Sequence, residues 1–256
     1  MLSKDFLQFA SAHRAPANLQ QPRPWYSFRN LAPGEAEIYI YDIIGESWFG
    51  GITAQQFVQD LNAISATKVV LRVNSPGGDI ADGIAIRNAL IRHPANVESH
   101  IDGLAASTAS WVALAGDSLF ISPSAMLMIH EPFNIILGDA EEMRKQADIL
   151  DLFGSDIAAM YAAKAGGTID EWRDRMKAET WYTDQQAVDA GLADSIGETA
   201  PAPSNRYDSA LLSIFKNTPE HLLRPPAPPA RAADQVDLTP HLLAYQRNRS
   251  RLLGVR

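Results

Sequence analysis

Between residues 36 and 197 the spacing of apolar positions switches repeatedly between continuous short runs and helical periods. Residues 36–45 (AEIYIYDIIG) are almost all apolar and predict a first buried strand. Thr53 stands where a helix cap belongs, with Phe57, Leu61 and Ile64 following on one face. Residues 68–74 (KVVLRVN) form a β-branched run of the kind found in parallel strands covered on both faces. Residues 80–93 are predicted helical, with Ile80, Ile84 and Ile91 near one stripe, and Pro94 ends them. The alternation repeats as a strand at 97–102, a helix of small residues at 106–115, and short strands at 119–121 and 126–129.

A long amphipathic helix is predicted at 139–165, with Met143, Ile149, Leu150, Phe153, Ile157 and Tyr161 as its apolar side. Gly166-Gly167 stops it. Shorter helices follow at 169–177 and 184–190. Strands and helices alternating at these lengths predict an α/β domain with parallel sheet character over residues 35–198. Residues 1–34 contain several prolines and read as an N-terminal arm. Residues 199–236, with Arg224-Pro225-Pro226-Ala227-Pro228-Pro229 near the centre, read as a Pro/Ala-rich linker with polyproline character. Residues 237–256 pair Leu242, Leu243, Leu252 and Leu253 with Arg247, Arg249, Arg251 and Arg256. They read either as a short basic helix that folds on a partner or as a tail without structure of its own.

Composition narrows the field. The apolar fraction is 46%, enough for a sizeable core, and the formal net charge is −8. An acidic chain is a poor candidate for general nucleic-acid binding. The absence of cysteine excludes disulfides, thiolate metal sites and a cysteine nucleophile, and suits a reducing compartment. No apolar run is long enough for a membrane span, and the N-terminus lacks a signal-peptide core, so a cytoplasmic location is expected.

Three segments carry candidate chemistry. Asn74-Ser75-Pro76-Gly77-Gly78 takes a strand into a glycine turn and a helix. Gly103-Leu104-Ala105-Ala106-Ser107 delivers a serine to another helix start. A turn and a helix start side by side would set backbone N–H groups where an oxyanion develops. Ser107 lies among small residues that admit a substrate backbone; a serine so placed, taken alone, is more often an N-cap than a nucleophile. Ser110 is its local competitor and is expected to pack inside. Asp79 reads as a cap. His130 ends the apolar strand at 126–129, and none of His13, His93, His100, His221 and His241 stands at the end of a predicted core strand. A serine needs such a base within hydrogen-bond reach. The third member is a carboxylate that orients the imidazole. Glu179, Asp194 and Asp184 all compete, with Glu179 preferred. Glu141-Glu142 and Asp170-Glu171 read as solvated first-turn residues. No metal-ligand spacing or phosphate loop is present, so no cofactor is called for. These residues point to a serine hydrolase, more narrowly a serine peptidase.

Taken in order and spacing, Asn74–Gly78, Gly103-x-Ala105-Ala106-Ser107 and Met128-Ile129-His130-x-Pro132 resemble the proteolytic subunit (ClpP) family of the Clp protease over about residues 36–197. The resemblance implies a ClpP/crotonase-like α/β fold of repeated ββα units, with the helix at 139–165 as a protruding handle that joins rings of subunits. It implies Ser107 as nucleophile, His130 as base, and the Gly78 and Thr108 N–H groups as the oxyanion hole. The family's acid is usually an aspartate shortly before an aromatic residue. Here Glu179-Thr180-Trp181 puts a glutamate in its place, and the extra methylene requires a small backbone adjustment.

That Glu-Thr-Trp variant, the Trp25-Tyr26-Ser27-Phe28-Arg29 segment and the Pro-rich extension resemble the Clp-related head-maturation proteases of tailed phages and prophages. That branch implies ATP-independent cleavage of scaffold and capsid proteins, a homo-oligomeric ring and residence in the host cytoplasm or prohead. Four other readings compete: a peptidase fed by an unfoldase ATPase, a catalytically silent scaffold, a crotonase-type acyl-CoA enzyme, and a Ser–Lys signal-peptide-peptidase-like enzyme.

Overall fold

Strand β1 (Tyr26–Ala32) turns back antiparallel onto β2 (Glu35–Ile40), and β2 then runs parallel to β3 (Lys68–Ser75), which is parallel to β4 (Asn96–Ala106). The computed structural model describes residues 25–45, 53–134, 136–198 and 209–223. These residues fall within a compact unit that ends at Leu223, and the second unit, Arg224–Arg256, lies outside the described residues. So do the basic tail expected at 237–256 and most of the expected N-terminal arm.

Strand β4 is the pivot of the sheet. Its first half, Glu98–Ile101, pairs in parallel with β5 (Ser118–Ile121), and its end, Leu104–Ala106, pairs in parallel with β6 (Met126–Ile129). Strand β6 pairs antiparallel with β7 (Thr180–Thr183), and β8 (Ser195–Ile196) pairs with β5. The helices between them are α1 (Ala54–Asn62), α2 (Ile80–Arg92), α3 (Thr108–Ala113), α4 (Ala140–Ala165), α5 (Ile169–Lys177) and α6 (Asp184–Asp189). This is the α/β alternation that the apolar pattern predicts.

The central strands have two unlike faces. Ile38, Ile40, Val69, Leu71, Val73, Val97 and Ile101 join Phe57, Leu61, Ile86, Leu90 and Trp111 in one apolar core. Alternate positions face the other way and carry charge. Arg72 bonds Glu37 at 2.8 Å and Asp102 at 2.7 Å, tying β2, β3 and β4 together, and Tyr39 and Tyr41 donate to the same two carboxylates. Among the described residues, the β3 run is therefore covered by helices on one face only. Its β-branched composition reflects sheet propensity as much as two-sided burial.

Other expectations are corrected in detail. Tyr26–Ala32 belongs to the sheet rather than to an arm, held by Trp25 stacked on Phe57 with ring centroids 5.4 Å apart. Strand β4 runs to Ala106, beyond the expected end at 102, because changing partner from β5 to β6 keeps its ladder occupied. Helix α3 is correspondingly shorter than 106–115. Thr53 precedes α1 without a side-chain cap bond. Helix α2 buries Gly83, Ile86, Ala89 and Leu90, while Ile91 is 52% exposed. On α4 only Gly154, Ile157, Ala158 and Tyr161 are buried, and Met143, Ile149 and Leu152 face solvent. Within the stretch expected to be linker, residues 209–223 contain a 3-10 turn (Ser209–Ile214) and a short helix α7 (Glu220–Leu223), because Leu212 and Phe215 find apolar partners.

Helices α2 and α3 meet at Gly83, where an added Cβ would stand 2.3 Å from Thr108 Cγ2 and 2.4 Å from the Trp111 ring. Gly83→Ala must push α3 away from α2. The expected result is a loss of about 1–3 kcal/mol, as for other overpacked cores, read as a lower urea midpoint.

Candidate active site

The end of β4 leads straight into α3 through Ser107, whose backbone sits at φ 53° and ψ −127°. A side chain rarely adopts this conformation, which costs on the order of 1–3 kcal/mol unless the surroundings enforce it. Here they do. The Ser107 N–H donates to the Met128 carbonyl at 3.0 Å, and the Ser107 carbonyl accepts from the Ser110 N–H and hydroxyl at 2.9 and 2.6 Å. The bent backbone turns the Ser107 hydroxyl away from the cap position, and no side-chain cap bond forms. Its Oγ instead lies 2.7 Å from His130 Nε2. Ser110 is fully buried and bonded to Tyr161.

The register of the sheet explains why serine and histidine meet. Ala106 pairs with Met128, so the residues just beyond, Ser107 and His130, emerge together at the strand ends. His130 falls on the same side of β6 as Met126 and Met128. The next residue, Glu131, is anchored by Arg173 of α5 at 2.7 Å, and its N–H donates to the Met176 carbonyl.

The glycine turn lies against the serine. Gly77 and Gly78 have φ of 99° and 157°. A Cβ on Gly77 would stand 2.8 Å from Ser107 Cβ, and one on Gly78 would stand 2.0 Å from the Ile44 carbonyl oxygen. Only glycine therefore allows this loop to pass between the Ser107 turn and Ile44. The Thr108 hydroxyl donates to the Gly78 carbonyl at 2.9 Å, pinning loop to helix. The Thr108 N–H is the first of α3 and so has no partner within that helix. Among the described residues, neither it nor the Gly78 N–H donates to another backbone carbonyl. Asp79 caps α2 by accepting from the Asp82 N–H at 2.9 Å.

The three candidate carboxylates separate clearly. Asp194 bonds Lys164 and the Leu119 N–H, and Asp184 bonds the Ser124 and Gln185 N–H groups; both serve local structure. Glu179 is 8% exposed and is the carboxylate whose charge acts on His130. It follows the end of α5 with φ at 51°. Among the described residues, however, no hydrogen bond joins it to the imidazole. Its oxygens accept from the Lys216 N–H at 2.7 Å, the Asn217 N–H at 2.6 Å and Trp181 Nε1 at 3.2 Å.

Sequence reasoning missed the segment that supplies two of these donors. The Phe215 ring lies 5.2 Å from that of His130, and Leu212 and Phe215 cluster with Leu104, Ala106, Met126 and Met128. The available signal was an apolar run, LLSIF, inside Pro/Ala-rich surroundings.

Burial lowers the His130 pKa from the ordinary 6.5 to about 4; the Glu179 charge opposes the shift and the Lys216 charge adds to it. The imidazole is therefore neutral at pH 7 and can accept the Ser107 proton.

A helix-covered α/β sheet that presents a Ser–His pair beside a glycine turn has the layout of a serine hydrolase. The sequence profile of the Clp protease family matches residues 21–200, and the chain belongs to that family, which makes the class a serine peptidase. It is 30% identical to the ATP-dependent Clp protease proteolytic subunit 1 of Leifsonia xyli subsp. xyli, over 53% of this chain and 70% of that protein. It is 27% identical to proteolytic subunit 2 of Mycolicibacterium paratuberculosis, over 54% of this chain and 70% of that protein. Among the described residues, no helix is long and apolar enough to cross a membrane.

An NMR titration should place the His130 midpoint at about 4, well below 6.5, and Glu179→Gln should lower it further by removing the opposing charge. The folded state binds fewer protons than the unfolded chain below pH 6.5. This site's contribution to stability therefore falls as pH drops from 6.5 to about 4.

Proposed function

We propose that this chain is a serine endopeptidase in which Ser107 is the nucleophile, His130 the general base and Glu179 the third member of the triad. The observation that carries the reading is the 2.7 Å contact between Ser107 Oγ and His130 Nε2. His130 takes the hydroxyl proton as Ser107 attacks the scissile carbonyl, and the Gly78 and Thr108 N–H groups hold the oxyanion. His130 then returns the proton to the leaving amine. Water, deprotonated by the same imidazole, releases the acyl group from Ser107. No step calls on a metal or a nucleotide.

The finer reading is cleavage of scaffold and capsid proteins during phage head maturation, without ATP, in the host cytoplasm or prohead. It is supported by the Glu179-Thr180-Trp181 variant and by the extension past residue 200. Homo-oligomerisation is supported by Met143, Ile149 and Leu152, exposed along α4. A second reading, a peptidase fed by an unfoldase ATPase, is favoured by the relatives, which are named as proteolytic subunits of ATP-dependent proteases.

A fluorophosphonate is expected to add one equivalent to the wild type and none to Ser107→Ala. His130→Ala should label on the order of 10²–10⁴ more slowly, the usual contribution of a positioned base. Absence of Ser107 labelling both in the folded wild type and in variants that release residues 209–223 would sink the assignment.

The two biological readings part in a second assay, digestion of an unfolded protein substrate by the purified full chain. Cleavage unaffected by ATP supports the first reading. Protein cleavage only after a Clp ATPase and ATP are added supports the second.

A further inference from the structure

The side chains of Leu104, Ala106, Met126 and Met128 project from the ends of β4 and β6 on the face that also carries His130. Trp181 continues this face on β7, where it pairs with Met128, and Glu179 stands just before that strand. This is the surface next to the serine hydroxyl, where a substrate chain would have to lie. It is covered by the chain itself. Leu212 is 2% exposed and Phe215 7%, and both are packed into this cluster with Trp181 and Leu222. The Phe215 ring meets His130 at 5.2 Å and Trp181 at 6.1 Å.

Polar contacts fix the same segment. The Lys216 and Asn217 N–H groups donate to the two Glu179 oxygens. The Asn217 side-chain amide donates to the Ala178 carbonyl at 2.9 Å and the Glu179 carbonyl at 3.3 Å. The Thr218 hydroxyl closes the turn on the Leu212 carbonyl at 2.6 Å. A triad carboxylate must instead offer an oxygen to the imidazole Nδ1–H. The segment also lies beyond the 21–200 stretch that matches the family, so it is an addition to the shared domain.

We propose that residues 209–223 are an autoinhibitory strap: Phe215 fills the apolar pocket beside Ser107 and His130, and the Lys216 and Asn217 amides hold the Glu179 carboxylate off the imidazole. The site is latent while the strap is seated. Displacement frees the pocket for an apolar side chain of a substrate and frees Glu179 to orient His130. The proposal rests on the serine-peptidase reading and adds its regulation.

The test uses the full-length chain in three forms: wild type, Leu212→Ala with Phe215→Ala, and Lys216→Pro. The first variant empties the pocket, and the second deletes one amide donor to Glu179. Hydrogen exchange of peptides covering 209–223 reports whether the strap has lifted. Fluorophosphonate labelling and kcat/KM on a short apolar peptide report the site, with Ser107→Ala as the background in each form.

The expected result is faster exchange in both variants together with at least a tenfold rise in labelling rate and kcat/KM. Faster exchange with unchanged or lower labelling would overturn the proposal, because the segment would then be neutral or a support for Glu179. Slow exchange in both variants would also overturn it, since the named contacts would not be what seats the segment. Faster exchange with no labelling in any form, wild type included, would instead sink the Ser107–His130 assignment, and the latency proposal with it.

Discussion

The structure of the site depends on the left-handed backbone of Ser107. A serine in ordinary helical or extended geometry at the β4–α3 junction would bond a free N–H of the helix, as capping serines do. At φ 53° its hydroxyl is directed to His130, and the first helical N–H stays free of the side chain. Such a conformation persists only where neighbours over-determine it. They do so from three directions: the Met128 carbonyl from β6, Ser110 from within α3, and Gly77 packed against the Ser107 Cβ. The buried Ser110–Tyr161 bond extends the same restraint to α4, so the site is braced by the long helix as well as by the sheet.

The second constraint is the fork in β4. A strand that pairs with β5 and then with β6 brings two parallel ladders to a common end. Ser107 and His130 are then brought together by register alone, one residue past Ala106 and two past Met128. No loop has to find its place, which is how a rigid scaffold holds reacting groups within a few tenths of an ångström. Arg72, bonded to both Glu37 and Asp102, locks the adjacent strands in the same alignment from the polar face.

This explains which parts could be read from the sequence. Apolar runs and helix stops gave the alternation of elements, because burial against a sheet imposes those periods directly. Ser107 was legible because small residues deliver it to a helix start, and His130 because it ends a short apolar strand. The fork was not legible: periodicity records that a strand is buried and not which neighbour it pairs with, so β4 was read four residues short. The exposure of Ile91 is missed because the predicted stripe runs through Ile80, Ile84 and Ile91, whereas the buried face runs through Gly83, Ile86, Ala89 and Leu90, with Gly83 admitting α3. Residues 209–223 were hidden by composition. Leu212 and Phe215 are too few to make a periodic signal among prolines and alanines, and their partners Leu104, Ala106, Met126 and Met128 lie far earlier in the chain.

Glu179 shows how one carboxylate can serve two arrangements. Its charge raises the basicity of His130 even without a hydrogen bond, since a Coulomb interaction needs proximity and not a shared proton. Orientation of the ring is different, because it requires an oxygen lone pair, and the amides of Lys216 and Asn217 and the Trp181 indole draw on those. The same segment lowers His130 basicity twice, by covering the ring with Phe215 and by placing the Lys216 charge nearby. Lifting it would therefore change base strength and base orientation in the same direction. A single packing event coupled to both quantities gives a sharper distinction between silent and active states than either effect alone.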